Sequence, residues 1–374
     1  MDRKTPTVIE LSVVDGLCTR NCIFCPVRQI QVQHTINLDL YKTILLDLSK
    51  WTEIREKHIK LDLTPFGEFF MHKDWRQILK MTYELLPDLA IYLHTNGDLI
   101  DFDNVINEVM PYINTLIIDI YDTHDSLLSS SHIAGYMNAF PFLNGVNKDY
   151  KIKFWHSKND GCVNILNQDR TSNVYSGLIK HTQKNVVFLD NTDAYVNKNK
   201  IHTAHNWGIF SNTIFPFKDV SCVLPMRQLV IDSYGNVVLC CEDVTRRFIF
   251  GNIAGRETWR ESQCELTNDD SYYEDVYLNS EALNAIRRTL LFGINDKKRL
   301  NINLCSTCTS RVGTRRVGIE KKGDDWMSDA EVTDCLANYK VKLRDKYMPR
   351  IHLNLNGIMQ KERAIKELIG EKSK

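Results

Sequence analysis

Three cysteines that follow a short β-rich run constrain this chain more than any other feature. Residues 8–14 read Val-Ile-Glu-Leu-Ser-Val-Val, which is typical of a strand, and Cys18, Cys22 and Cys25 come directly after it. The spacing C-x₃-C-x₂-C is short enough for one loop to wrap three thiolates around three corners of an iron–sulfur cube. The next cysteine is Cys162. One iron of such a cube is therefore expected to stay open, whereas a structural zinc site needs four closed ligands.

The cysteine content supports metal binding or redox chemistry. The 374 residues include 11 cysteines, and the first residues, Met-Asp-Arg-Lys-Thr-Pro, lack the apolar core of a signal peptide. No apolar run reaches the roughly 18 residues of a membrane span. We therefore expect a cytoplasmic protein with reduced thiols, in which an odd cysteine count argues against disulfides. Lys+Arg and Asp+Glu both total 47, which excludes a polycation built to coat nucleic acid or an anionic membrane.

The first part of the chain alternates strand and helix patterns. Helical spacing of apolar residues occupies 37–50 and 74–86. The β-rich runs are 8–14, 59–63, 89–94, 116–121, 150–156 and 186–189. Such alternation indicates βαβ units and a parallel sheet. We predict an α/β fold with a partial (β/α)₆ barrel in residues 1–215; an open doubly wound sheet is the alternative.

Residues 216–312 have a different character. The β-rich runs 228–232 and 236–239 flank Ser233-Tyr234-Gly235, which is a hairpin signal. This pattern predicts a small α+β domain after the barrel. Beyond it, a capping box at 328–331 opens a helical pattern, so residues 313–374 are predicted to form a helical, basic C-terminal extension.

The first cysteine loop resembles the signature of the radical S-adenosylmethionine (SAM) enzymes, C-x₃-C-x-aromatic-C, with Phe24 in the aromatic position. The resemblance implies that Cys18, Cys22 and Cys25 hold a 4Fe–4S cluster and that SAM chelates the fourth iron, with Phe24 at the cofactor site. It also implies a one-electron reductant of the flavodoxin or ferredoxin type, and cleavage of SAM to a 5′-deoxyadenosyl radical that abstracts a substrate hydrogen.

The same family carries a Gly-Gly-Glu-Pro-like motif after its second strand. Here residues 66–69 read Phe-Gly-Glu-Phe, so Gly67 and Glu68 match while the first glycine and the proline do not. The resemblance implies that this backbone and Glu68 receive the SAM ammonium. It also implies SAM carboxylate binding by Arg170, for which a surface loop arginine is the alternative.

A second cysteine pattern resembles the SPASM domain, or its shorter relative called twitch. Cys222 and Cys240 flank the hairpin in a C-x₁₂-G-x₄-C pattern, and Cys305-x₂-Cys308 follows after a long gap. The resemblance implies one auxiliary 4Fe–4S cluster held by these four cysteines. A full SPASM domain continues with C-x₅-C-x₃-C, and the chain has only Cys335 beyond this point.

A cluster with four protein thiolates is closed, which suits electron transfer, although the same four cysteines could also build a zinc ribbon. Cys241 is an alternative ligand to Cys240, because adjacent strand residues point to opposite faces. Asp243, beside these ligands, is a candidate base that removes a proton from a substrate radical. A structural carboxylate at the hairpin end is the alternative for Asp243.

These features predict a radical SAM oxidoreductase or modifying enzyme. The expected substrate is a peptide or protein side chain, or an amino-sugar-like small molecule, and the outcome is oxidation, cross-linking or epimerisation. A closed auxiliary cluster favours outcomes that export an electron. The alternative is a non-catalytic, zinc-binding interaction protein. Neither a membrane nor a nucleic acid is expected as a partner.

Overall fold

The structure, a computed structural model, describes residues 5–20, 25, 27, 33–100, 104–120, 151–156, 186–190, 222, 224–258 and 266–292. The strands in these ranges are β1 (Val8–Leu11), β2 (Val14–Asp15), β3 (His34–Thr35), β4 (Lys60–Asp62), β5 (Ala90–Thr95), β6 (Thr115–Ile120), β7 (Lys151–His156), β8 (Val186–Asp190), β9 (Gln228–Ile231), β10 (Asn236–Val238) and β11 (Ile249–Asn252). The α-helices are α1 (Leu38–Leu48), α2 (Thr52–Glu56), α3 (Trp75–Leu85), α4 (Leu224–Arg227), α5 (Tyr272–Asn279) and α6 (Glu281–Phe292). The predicted C-terminal extension lies outside the described residues.

A sheet of nine strands in the order β11-β10-β9-β1-β4-β5-β6-β7-β8 organises the fold. Each consecutive pair from β1 and β4 to β7 and β8 is parallel, so the prediction of an α/β fold with a mostly parallel sheet is confirmed. These six strands follow one another in chain order, without the reversal that marks a doubly wound sheet. The curvature and closure of a barrel stay a prediction.

The central strands separate an apolar face from a polar one, because successive strand residues point to opposite sides. Alternate residues of β1, β4 and β5 join residues of α1 and α3 in one buried apolar cluster, which includes Ile9, Leu11, Leu61, Ile91, Leu93, Ile44, Leu45, Leu48, Ile78 and Leu79. The residues between them on the strands, Glu10, Asp62 and His94, therefore lie on the opposite, inner face.

Helices α1 and α3 follow the sequence prediction closely. The side chain of Asn37 caps α1 by accepting a hydrogen bond from the backbone N–H of Asp39 at 2.8 Å. Asp74 precedes α3 as predicted, but its side chain makes no capping hydrogen bond. No helix within the described ranges combines the length and apolar character needed to cross a membrane.

The predicted hairpin forms, and it extends the large sheet. Strand β10 pairs antiparallel with β9, and Gly235 in the connecting turn adopts φ +80°, a conformation that favours glycine. Strand β9 in turn pairs parallel with β1 over the full length of both strands, from Val8 opposite Gln228 to Leu11 opposite Ile231. The hairpin is thus hydrogen-bonded directly to the strand that leads into the first cysteine loop.

Candidate active site

The loop that carries Cys18 lies where β1, β4 and β5 end, the edge at which α/β folds place their reactive groups. Gly16 donates its backbone N–H to the carbonyl of Phe66 at 3.0 Å, and Glu68 donates its own to the carbonyl of Leu17 at 2.8 Å. Of the predicted ligands in this loop, Cys18 and Cys25 are described and both are partly exposed. Cys22 and Phe24 lie outside the described residues.

A pair of charged residues fixes the loop to the end of β5. The guanidinium of Arg20 binds both carboxylate oxygens of Asp98, through Nη2 at 2.6 Å and Nε at 2.9 Å, and a third bond reaches the carbonyl of Asn96 at 3.0 Å. Thr19 adds a hydroxyl bond to Asp98 at 2.8 Å. A bidentate, mostly buried pair of this kind constrains orientation as well as distance. It therefore holds Thr19 and Arg20, which follow Cys18, in a defined position.

Asn96 contacts the first cysteine directly. Its side-chain Nδ2 lies 3.5 Å from Sγ of Cys18 and 2.9 Å from the hydroxyl of Thr19, and it donates to both. Donors aimed at a sulfur stabilise its thiolate form, which is the form that binds iron. The residues around Cys18 therefore suit a metal-bound thiolate.

Without a metal, this thiol is held in its neutral form. Burial, followed by the charge of Glu68, raises the pKa of Cys18 to about 12, and the N–H donors of Arg20 and Asn96 offset only part of that rise. Metal binding supplies the positive charge that a thiolate in this poorly solvated position needs. The donor set thus fits an iron–sulfur cluster better than an unliganded reactive thiol.

Gly67 lies at a close approach between the loop after β4 and the cysteine loop. A Cβ atom at this position would lie 2.5 Å from the carbonyl oxygen of Val14 and 3.0 Å from that of Leu17. Any side chain would therefore push the two loops apart. The described geometry gives Gly67 a role in spacing the cysteine loop, and the contact to SAM implied by the resemblance stays a prediction.

Glu68 is buried and links the ends of β4 and β5. Its Oε1 accepts from the hydroxyl of Thr95 at 2.8 Å and from the N–H of Phe70 at 3.3 Å, while Oε2 accepts from the N–H of Asn96 at 2.9 Å. A carboxylate offers about four acceptor positions, so these bonds fix its orientation without using its whole capacity. Its predicted role toward the SAM ammonium stays a prediction.

The inner face of the sheet carries a chain of polar side chains next to this loop. Oδ2 of Asp62 lies 3.2 Å from Nε2 of His94 and 2.9 Å from Nζ of Lys60. Burial alone would raise the pKa of Asp62, but His94 and Lys60 outweigh it and hold that pKa below its usual range. Burial and then the charge of Asp62 raise the pKa of neighbouring Glu10 to about 7.

The two predicted auxiliary ligands that the structure describes are more buried than Cys18 and Cys25. Cys222 and Cys240 are each 7% exposed and belong to the same buried cluster. Cys241 lies on the other side of the hairpin end, where its Sγ is 3.7 Å from Nε2 of Gln228. Because that side faces Glu10, the arrangement favours Cys240 over Cys241 as the partner of Cys222. Arg170, Cys305 and Cys308 lie outside the described residues.

The described residues therefore include two of the three cysteines predicted for the SAM-binding cluster and two of the four predicted for the auxiliary cluster. Consistent with this, no three His, Cys, Asp or Glu side chains in the described part of the chain are arranged to hold a metal ion.

Asp243 closes the turn after the hairpin. Its two carboxylate oxygens accept the backbone N–H groups of Arg247 and Phe248, both at 2.9 Å, and its side chain is fully buried. Burial raises its pKa, while these two bonds act against the rise. This geometry matches the structural alternative for Asp243, and its role as a catalytic base stays a prediction.

A buried ion network joins the hairpin to the start of the cysteine loop. Nη2 of Arg246 lies 2.8 Å from Oδ2 of Asp15, and its Nε lies 3.7 Å from Asp232. The guanidinium also stacks on Phe66, 3.9 Å from the ring centroid. The hydroxyl of Ser233 donates to Asp15 at 2.7 Å. The network therefore ties the turn of the hairpin to a residue three positions before Cys18.

Sequence reasoning missed both this network and the inner-face group. Glu10, Asp62 and His94 each stand next to apolar residues in a predicted strand, at a position that points to the opposite face from them. A polar residue at such a position is the signal that could have found them, because it breaks the apolar pattern on one face only. Arg246 carries no comparable signal, since its partners lie far away in the sequence.

Comparison with known proteins matches residues 222–309 to SPASM, an iron–sulfur cluster-binding domain. A curated relative from Niallia circulans, an S-adenosyl-L-methionine-dependent 2-deoxy-scyllo-inosamine dehydrogenase, is 22% identical over 307 residues, which cover 81% of this chain and 93% of the relative.

Solved structures give a similar result. The crystal structure of BtrN in complex with AdoMet and 2-DOIA superposes with a TM-score of 0.52 at 20% identity, covering 84% of this chain and 96% of BtrN. The crystal structure of Streptococcus suis SuiB has a TM-score of 0.41 at 13% identity, covering 87% of this chain and 77% of SuiB. The first likeness supports the mixed α/β fold, and the second is too weak to bear on it.

Proposed function

We propose a reaction for this chain on the premise that it is a radical SAM enzyme with a SPASM iron–sulfur domain: it dehydrogenates a secondary alcohol of an amino-sugar-like small molecule. The observation that carries the proposal is the similarity to a 2-deoxy-scyllo-inosamine dehydrogenase over 93% of that relative's length. A match of 307 residues is longer than the predicted barrel region, residues 1–215, so it extends over parts of both predicted regions. The match of residues 222–309 to an iron–sulfur domain argues against the zinc-binding alternative.

The cofactors are 4Fe–4S clusters and SAM. When bound, they supply a 5′-deoxyadenosyl radical that takes a hydrogen atom from the substrate. We assign Cys18, Cys22 and Cys25 to the cluster that binds SAM. The clamp formed by Arg20 and Asp98 keeps this loop in place against β5.

Four further residues are assigned to the binding of SAM. Glu68 is assigned to the SAM ammonium, supported by its burial beside the cysteine loop and its fixed orientation. Gly67 is assigned to the close approach that lets SAM and the loop share this edge of the sheet. Phe24 and Arg170 keep the positions that the family resemblance implies.

The auxiliary cluster is assigned to Cys222, Cys240, Cys305 and Cys308. Burial of the two described members supports a closed site, which suits an electron acceptor. Dehydrogenation leaves one electron on the substrate radical, so a closed cluster next to the substrate serves this reaction better than it serves a redox-neutral one. An external one-electron reductant of the flavodoxin or ferredoxin type would supply the electron that cleaves SAM.

The domain limits belong to the same proposal. Residues 1–215 would form the partial barrel, residues 216–312 the auxiliary domain, and residues 313–374 the helical extension. Pairing of β9 with β1 supports a substrate site shared by the first two of these parts.

Labelled substrate tests the proposal. The anaerobically reconstituted protein is incubated with dithionite, SAM and 2-deoxy-scyllo-inosamine that carries deuterium on its carbinol carbons. We expect deuterium in 5′-deoxyadenosine and a ketone product. The variant Cys18→Ala provides the background. SAM cleavage without deuterium transfer, or transfer only from an added peptide, would overturn the assignment to an amino-sugar-like substrate.

A further inference from the structure

We propose that His94, oriented by Asp62, is the group that accepts the hydroxyl proton of the substrate during this dehydrogenation. The inference rests on the proposed function and names a catalytic residue for it. It comes from the arrangement of β1, β4 and β5, whose inner face carries these side chains between the two cysteine sites.

Asp62 and His94, the dyad, contact each other, and three hydrogen bonds of Thr64 hold them. Oδ2 of Asp62 faces Nε2 of His94 at 3.2 Å, and its Oδ1 accepts from the backbone N–H and the hydroxyl of Thr64 at 3.2 and 2.9 Å. The same hydroxyl of Thr64 accepts the backbone N–H of His94 at 3.0 Å. Thr64 thus fixes the carboxylate of Asp62 and the backbone of His94, and the contact with Asp62 orients the imidazole.

The charges suit proton acceptance. Because the pKa of Asp62 is held below its usual range, its carboxylate is ionised at neutral pH. An ionised carboxylate beside an imidazole stabilises the imidazolium that forms when the ring takes up a proton. Lys60, Tyr92 and Glu10 also face this pair in the described part of the inner face, at the neighbouring positions of β4, β5 and β1.

The dyad also lies between the residues of the first cysteine loop and those of the auxiliary hairpin. His94 comes two residues before Asn96, which contacts Cys18, and its side chain is 19% exposed, so a substrate can reach it. On the opposite side, Glu10 accepts a hydrogen bond from Gln228 at 2.8 Å, and the same amide group lies 3.7 Å from Cys241. A substrate on this face would therefore lie between the SAM site and the auxiliary hairpin.

The proposed step balances. The substrate loses a hydrogen atom from its carbinol carbon to the 5′-deoxyadenosyl group, its hydroxyl proton to His94, and one electron to the auxiliary iron–sulfur cluster. The carbon–oxygen bond becomes a carbonyl. Asp243, the base expected from the sequence, has both carboxylate oxygens bonded to backbone N–H groups and is fully buried, so the geometry favours His94.

The experiment uses the deuterated substrate above with His94→Gln, Asp62→Asn and Asp243→Asn. A matched control is His58→Asn, which changes an exposed histidine at the opposite end of β4. Ketone formation, 5′-deoxyadenosine, its deuterium content and iron are measured for each protein. General base catalysis is typically worth about 10²–10⁴-fold. We therefore expect H94Q to lower ketone formation at least about 100-fold while SAM cleavage, deuterium transfer and iron content persist.

Asp62 acts through His94, so its variant has a separate signature. D62N is expected to keep the KM for substrate and to lower kcat, because the imidazole loses the carboxylate that orients it and stabilises its protonated form. A loss of iron or of SAM cleavage in H94Q, or full ketone formation by H94Q, would overturn the inference. So would uncoupling in D243N instead of H94Q. Absence of deuterium transfer in the unmodified enzyme would overturn the proposed function and the inference with it.

Discussion

The two cysteine regions are built on opposite principles. The first loop is partly exposed at Cys18 and Cys25 and is held by side-chain hydrogen bonds from the ends of neighbouring strands. In the auxiliary region, Cys222 and Cys240 are buried in the apolar cluster, and the buried Arg246 anchors the hairpin. A site that must admit a ligand to its metal cannot be enclosed, whereas a site that only passes electrons can.

The difference also shows how the two regions depend on each other. Strand β9 pairs with β1, and Arg246 reaches Asp15 just before the cysteine loop. The auxiliary region is therefore in direct contact with the residues that lead into the first cysteine loop. We expect substitutions that destabilise the hairpin to disturb the SAM site as well. Substitutions in the cysteine loop should leave the hairpin folded.

The largest effect is expected from loss of the first cluster. Cys18→Ala should abolish reductive SAM cleavage, because the loop has no further cysteine that could replace that thiolate. The auxiliary iron should remain.

Cys240→Ala should instead lower iron while leaving some SAM cleavage, with Cys241→Ala as its neighbouring control. Iron and 5′-deoxyadenosine, measured on each protein, distinguish these outcomes; equal losses in C18A and C240A would contradict the separation.

Removal of the buried arginine tests the link between the regions. Arg246→Met leaves Asp15 and Asp232 buried without their counter-charge, which costs about 3–5 kcal/mol of unfolding free energy. Denaturant unfolding measures the change. Arg247→Ala, at the exposed neighbouring position, should change stability by no more than about 0.5 kcal/mol. If R246M unfolds like R247A, the network does not anchor the hairpin.

Local patterns in the sequence predicted the strands and the hairpin well. The run 150–156 became β7, and Ser233-Tyr234-Gly235 became the turn between β9 and β10. Periodicity reports the state of a segment but not its partner. The pairing of β9 with β1 and the ion pair of Arg246 with Asp15 therefore could not be predicted, because they join residues more than 200 positions apart.

The candidate site likewise contains one feature that is local in the sequence and one that is not. The spacing of Cys18, Cys22 and Cys25 is a local pattern that names its residues directly. The Asp62–His94 dyad joins two strands, and each residue alone resembles an ordinary polar position. Only the register of β4 and β5 brings them together.

A smaller effect is expected where the two loops touch. Gly67→Ala would place a Cβ 2.5 Å from the carbonyl oxygen of Val14, so the backbone must shift. Overpacking of this kind costs about 1–3 kcal/mol of unfolding free energy. SAM affinity should fall with it, because the shift displaces the cysteine loop. Thermal unfolding and equilibrium SAM binding measure both effects, and unchanged SAM affinity would show that the loop tolerates the shift.

The smallest effect concerns the redox potential of the first cluster. Asn96→Ala removes an N–H donor from Sγ of Cys18. Such a bond stabilises the reduced, more negative cluster, so its loss lowers the potential. A hydrogen bond worth about 0.5–1.5 kcal/mol corresponds to roughly 20–60 mV for one electron. Thr19→Val breaks the other hydrogen bond of the Asn96 amide nitrogen and serves as control. A potential equal in N96A and T19V would remove the role assigned to this contact.

The central claim is that one cluster is open to SAM and the other is closed. Electron paramagnetic resonance of the reduced protein, recorded with and without SAM, tests it most directly. We predict that SAM changes the signal of one cluster only, and that this change disappears in C18A and persists in C240A. A signal that does not respond to SAM, or a response that survives in C18A, would contradict the account.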